Sequence, residues 1–149
     1  MLKQSVSEAA LLLSIASTAQ AGILLERVTL PGETLPQNYI TKKCFVLDTG
    51  QMVKQYQLQS LVSKQVIPLQ LSKATIKSAI DLAATGTITS KNIAVDGPTI
   101  TYRAYRIGAD GKLTAVMLYQ ENGGSGKEYS NNSFDAKVLR NFIDQNCGD

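Results

Sequence analysis

Three aspartates stand beside or near a glycine: Asp48-Thr49-Gly50, Asp96-Gly97 and Asp110-Gly111. A carboxylate held in a tight turn can act as an acid, a base or a cation ligand. A calcium loop, however, needs several oxygen ligands at close spacing. Each of these aspartates is isolated in the chain, so each reads as a turn residue. The chain has no histidine, which excludes Ser-His-Asp and Cys-His catalysis and every His-ligated metal site. No phosphate-cradling glycine loop and no paired carboxylates are present, so the expected cofactors and metals are none.

Two other groups of residues suit binding better than catalysis. Tyr102, Arg103, Tyr105 and Arg106 interleave aromatic and basic side chains on one predicted strand. Alternation puts Tyr102 and Arg106 on one face, Arg103 and Tyr105 on the other. Tyr and Arg are the types that anchor protein interfaces, and Tyr102 and Arg106 are candidate contacts. The competing reading packs the rings into the sheet with Arg at its edge. The second group is Ser125, Gly126, Lys127 and Tyr129, inside the polar, glycine-rich run 121–132. That run reads as an exposed loop, with room for a short strand at 127–129. Asn131-Asn132-Ser133 matches the N-glycosylation pattern, which matters only in a eukaryotic secretory pathway.

Ser125-Gly126-Lys127-Glu128-Tyr129 resembles the S-G-x-x-Y loop of the bacterial periplasmic C-type lysozyme inhibitors. In that family a strand leads into a loop that enters the lysozyme cleft, and a disulfide ties the C-terminus to an early strand. The resemblance implies an inhibitor, with Val116 to Tyr119 as the strand and Cys44 and Cys147 as the tie. It covers five residues and a cysteine arrangement. The family's tryptophan-rich strand and Lys-Gly pair have no counterpart here, and that family is all β. Phe45-Val46-Leu47 before Asp48-Thr49-Gly50 resembles the aspartic-protease motif, and Ile107-Gly108-Ala109-Asp110 loosely resembles a later segment of the retroviral type. That resemblance implies a homodimer sharing a proton between two copies of Asp48. Arg106 at an apolar position, Gln51 at a small one and a helix in place of a flap depart from its pattern. The hairpin-turn reading of Asp48 is preferred.

What must position these groups is one small domain. Residues 1–21 read as an export leader: Lys3, an apolar run from Ala9 to Ala16, then Ala19-Gln20-Ala21 in the small-x-small pattern. The apolar run is too short to span a bilayer. Residues 22–149 are then a single secreted or periplasmic domain, with no stable membrane insertion once the leader is gone. Removing Lys3 and Glu8 leaves the net charge at +3. The basic residues are scattered, which argues against a nucleic-acid partner. Cys44 and Cys147, the only cysteines, are expected to pair in an oxidising compartment. A closed loop of this length stabilises by ~4–5 kcal/mol in the chain-entropy picture.

Strands are expected at 23–30, 39–47, 51–58, 99–107 and 112–120, with turns at Asp48-Thr49-Gly50 and Gly108-Ala109-Asp110-Gly111. Residues 59–71 either extend the first hairpin or connect onward, and Pro68 argues against a central strand there. Residues 87–98 are a loop or short strand. Helices are expected at 73–85 and 134–146, with Ser72 and Ser133 as N-caps. Gly86 sits where a left-handed C-terminal residue would stand. The first helix carries its stripe on Ile76, Ala79, Ile80 and Ala83, the second on Phe134, Val138, Leu139, Phe142 and Ile143.

The expected fold is therefore α+β: an antiparallel sheet of about five strands, two helices on it and one disulfide. The expected function is non-catalytic binding of another protein, in one form as inhibitor of a secreted enzyme. The alternatives are a homodimeric aspartic protease using Asp48 and a periplasmic small-molecule carrier. The carrier requires an apolar cavity between sheet and helices.

Overall fold

Strand-forming side chains alternate along most of this chain, and each alternating run pairs with its neighbour. A computed structural model describes residues 22–148; the predicted leader lies outside them. The elements are β1 (Ile23–Leu30), a short 3-10 turn (Pro36–Asn38), β2 (Ile40–Leu47), β3 (Gln51–Leu58), β4 (Leu61–Pro68), α1 (Lys73–Ala83), β5 (Ile88–Asn92), β6 (Thr99–Ile107), β7 (Leu113–Asn122), β8 (Lys127–Asn131) and α2 (Phe134–Cys147). All strand pairs are antiparallel, in the order β4-β3-β2-β1-β6-β7-β8-β5.

The fold is α+β and disulfide-tied, but the expectation of about five strands is wrong: the sheet has eight. The three strands beyond the expected five are β4, β5 and β8, all in segments where the sequence leaves a strand open beside a loop or connection. β4 and β5 are the sheet's two edges, and nearly every residue in them is exposed. An edge strand whose side chains are almost all exposed, with Ile67 alone of these two strands reaching the core, needs no apolar face, so no alternation marks it in the sequence. Pro68 ends β4, where a missing N–H costs no ladder bond. Residues 121–132 are not a loop. β7 runs to Asn122, a tight turn follows, and β8 returns from Lys127. Loop residues 93–98 brace that turn, with Asp96 N–H donating to Gly123 O at 3.0 Å and Ile93 N–H to Gly126 O at 2.9 Å.

Both helices lie on one face of the sheet. Cross-strand partners Leu25, Val46, Met52, Ala104 and Val116 point into that layer and meet Ile76, Ile80, Ala83, Leu139 and Ile143. Two bulges raise the buried area. Leu24 has no partner in β2 and Leu118 none in β6, so the adjacent pairs Leu24-Leu25 and Leu118-Tyr119 are both buried.

The helix boundaries and stripes need three corrections. Ser133 caps α2 as expected, its Oγ accepting from Ala136 N at 3.0 Å. Ser72 caps nothing through its side chain; its Oγ lies 2.8 Å from Thr75 Oγ1. Gly86 is not left-handed. It is small for another reason, because a Cβ there would lie 2.0 Å from Asn131 Oδ1. On α2 the buried line is Ala136, Leu139, Ile143 and Cys147, whereas Phe134 is 78% exposed and Val138 is exposed. The Cys44–Cys147 bridge is present and joins the last residue of α2 to β2, on the same buried line as Ala136, Leu139 and Ile143.

Candidate functional site

The ladder parity that sends Leu25 inward sends Glu26, Val28 and Leu30 to the opposite face. Beside them stand Lys43 and Phe45 of β2, Val53 and Gln57 of β3, Thr101, Arg103 and Tyr105 of β6, and Met117 and Gln120 of β7. Among the described residues no helix lies on this face. At its centre is an open trough of about 660 Å³, lined by Val28, Leu30, Thr41, Lys43, Gln57, Thr101, Arg103 and Gln120, with Glu26 in its wall and Tyr39 at its rim. The large apolar side chains here are half-buried, as are Lys43 and Arg103.

A small polar network stiffens the trough wall. Tyr105 Oη donates to the Glu26 carboxylate. Glu26 faces Arg103 directly across the β1–β6 ladder, and Arg103 lies on the same face as Tyr105. Burial first, and then the Glu26 carboxylate, raise the Tyr105 hydroxyl above its usual value, while Arg103 pulls it partway back. Glu26 is thus occupied from within. Lys43 has Val28 and Gln55 as its ladder neighbours, neither of them acidic.

The candidate residues named from the sequence fall in three places. Tyr102 is buried on the helix side of β6, its Oη 2.5 Å from Asp144 Oδ1 of α2. Arg106 is also on the helix side, paired with Asp81 of α1 at 3.3 Å. Ser125 and Gly126 lie in the turn between β7 and β8; Ser125 is exposed and its N–H donates to Asn122 Oδ1 at 3.0 Å, whereas Gly126, with φ +65°, is buried against Ile93 and Val95. Lys127 and Tyr129 point to the uncovered face on β8, two strands from Arg103 and outside the trough. The residues that line the trough beyond Arg103 were not singled out from the sequence. Their one local signal was Glu26, a charge in the middle of an apolar strand.

The turn aspartates are not assembled. Asp48 Oδ2 lies 3.7 Å from Lys73 Nζ in the β2–β3 turn, where Gly50 has φ +83°. Asp96 has φ +75° in the loop before β6, and Asp110 Oδ1 accepts from Lys112 N–H at 3.0 Å. Among the described residues no three of the carboxylate, thiol or imidazole groups converge. The cleft beside α1, lined by Asp48, Lys77, Ile80, Asp81, Arg106 and Ile107, measures about 190 Å³. That is below the ~300 Å³ at which small-molecule sites begin.

Asn131 is 2% exposed, and its Nδ2 donates to Ala83 O at 2.9 Å and Met117 O at 3.0 Å. The nitrogen a glycan would need is therefore engaged inside the fold.

Under α2, Arg140 stacks its guanidinium 3.5 Å from the Tyr119 ring centre and 5.3 Å from that of Tyr102. The two rings meet edge to face, 5.8 Å apart. Both hydroxyls are pushed up to about 12, first by burial and then by the carboxylates beside them, Asp144 at Tyr102 and Glu128 and Glu121 at Tyr119. An unfolded tyrosine ionises near 10. The native state therefore keeps protons that the unfolded state gives up. Stability is complete below about pH 10 and falls as pH rises toward 12. The expected loss across that window is on the order of 3 kcal/mol. Urea unfolding at pH 9, 10.5 and 12 measures it, and the double variant Tyr102→Phe/Tyr119→Phe is expected to flatten the slope.

Compared with protein-family models, curated proteins and solved structures, the chain matches none.

Proposed function

We propose that this chain is an exported, non-catalytic domain that binds another protein through the uncovered face of its sheet. The observation that carries the reading is the asymmetry between the two faces. One is sealed by α1 and α2. The other holds half-buried Val28, Phe45, Val53, Tyr105 and Met117, with Lys43, Arg103, Gln57 and Gln120 among them. An apolar centre with aromatic and Arg side chains, ringed by polar groups, is the composition of a protein interface. Export is supported by the leader pattern at 1–21 and by the disulfide, which persists in oxidising compartments. Among the described residues no helix is long and apolar enough to cross a membrane. A secreted enzyme is the partner in the inhibitor form of this reading.

The test uses oxidised residues 22–149 as bait in the extracellular or periplasmic fraction of the native source. The captured protein is then titrated against Val28→Gln and Phe45→Gln, with Val138→Gln on the exposed side of α2 as control. The expected result is a loss of affinity of tenfold or more for the two sheet variants and none for the control. Equal affinity across all three would overturn the reading.

A further inference from the structure

We infer that the partner enters the trough with a protruding loop and places a carboxylate between Lys43 and Arg103. The inference rests on the reading of the uncovered face as the binding surface and goes on to name what binds there.

Charge gives the first argument. The ionisable strand side chains on this face are Lys43, Lys64, Arg103 and Lys127 against Glu26 alone, four cations and one anion. Glu26 already accepts from Tyr105 and stands opposite Arg103, so it does not answer Lys43. The surface is left complementary to an acidic group. The hydroxyl and amide side chains of Thr41, Gln57 and Gln120 in the same trough supply donors for the second carboxylate oxygen and the adjoining backbone.

Geometry gives the second. Lys43 and Arg103 flank β1 on its two sides, at positions 28 and 26 of that strand. Two strand spacings and one two-residue step separate them, ~12 Å between Cα atoms. Two long side chains can close that distance on one carboxylate, but a small free anion would stay wet. Exposed ion pairs are worth little because water and salt screen them. The same pair beneath a protein loop is desolvated and contributes far more. The site therefore suits a carboxylate carried on a protein that covers the trough.

The test pans a phage-displayed library of disulfide-closed loops against the oxidised domain. Enriched loops are expected to carry Asp or Glu. As synthetic peptides they are expected to lose tenfold or more in affinity for Lys43→Gln and for Arg103→Gln. Circular dichroism checks the fold of each variant, and Lys43→Gln carries the test if Arg103→Gln fails to fold. Loops that lose binding to Val28→Gln yet carry no acid and ignore both cation variants would overturn this inference and leave the face reading standing. Loops that ignore Val28→Gln as well would overturn both. A domain that sediments as a dimer, and as a monomer in Val28→Gln, would assign the face to a second copy and overturn the inference too.

Discussion

Breaking the Cys44–Cys147 bond lowers the unfolding free energy of this domain by ~4–5 kcal/mol, the largest effect expected of any single change. The bond joins residues 103 positions apart. In the chain-entropy model a loop of about 100 residues is worth ~4.7 kcal/mol. Nearly the whole described domain lies inside it, from the middle of β2 to the last residue of α2. The bond also holds the α2 packing. Cys44 and Cys147 are both buried, and Cys147 Sγ lies 3.8 Å from the sulfur of Met52. Leu139 and Ile143 lie on the same buried line of the helix and pack in the core. Domains of this size hold only ~5–15 kcal/mol in total, so the reduced protein is marginal. Urea unfolding of the oxidised protein and of Cys44→Ser/Cys147→Ser measures the effect. With a slope of ~1–3 kcal/mol per molar, the midpoint is expected to fall by ~2–3 M. Coincident midpoints would show that packing alone holds α2.

Replacing Asn131 by Ala is expected to cost ~3–4 kcal/mol, close behind the disulfide. The side chain is buried and fully engaged. Nδ2 donates to Ala83 O at the end of α1 and to Met117 O of β7, and Oδ1 accepts from Ser133 N–H at the start of α2 at 3.0 Å. One amide thus joins both helices to the sheet. Its removal leaves the Ser133 N–H without its acceptor and strips a donor from the Ala83 and Met117 carbonyls, the first of which keeps Gly86 N–H at 3.0 Å; an orphaned buried group costs ~1–3 kcal/mol before relaxation. Asn131→Asp is expected to be no better, because a carboxylate has no proton to give the two carbonyls. Gly86→Ala is expected to lower stability through the same contact, since its methyl would meet Asn131 Oδ1. The measurement is again the urea midpoint, with Asn132→Ala, one residue along and exposed, as the control near zero. An unchanged midpoint in Asn131→Ala would remove this amide from any structural role.

Local patterns account for what could be read in advance. β1 and β3 occupy the predicted residues 23–30 and 51–58, because their neighbours begin and end with turn residues that cannot continue a strand. Gly50 takes the positive φ its turn requires. Ser133 caps the helix it precedes, and the two cysteines pair. Each of these depends on a few adjacent residues or, for the cysteines, on having no other partner. The edge strands β4 and β5 stayed open between strand and loop because strand pairing uses the backbone, and side chains that are almost all exposed leave no periodic mark.

Sequence alone determined the alternation on β6, with Tyr102 and Arg106 on one side and Arg103 and Tyr105 on the other. It also determined the antiparallel α+β character and the sulfur pair. Which side of the sheet the helices would seal was decided only in three dimensions. Period two distinguishes the faces of a strand without saying which is inner, and Tyr and Arg are amphipathic enough to serve either. The docking of α2 put Tyr102 under a helix beside Asp144 and left Arg103 in an open trough with Lys43. It likewise buried Asn131, a polar residue in a polar run, because the groups that needed its amide lay 14 and 48 residues away. Interactions of that range are set by packing, and no local spacing encodes them.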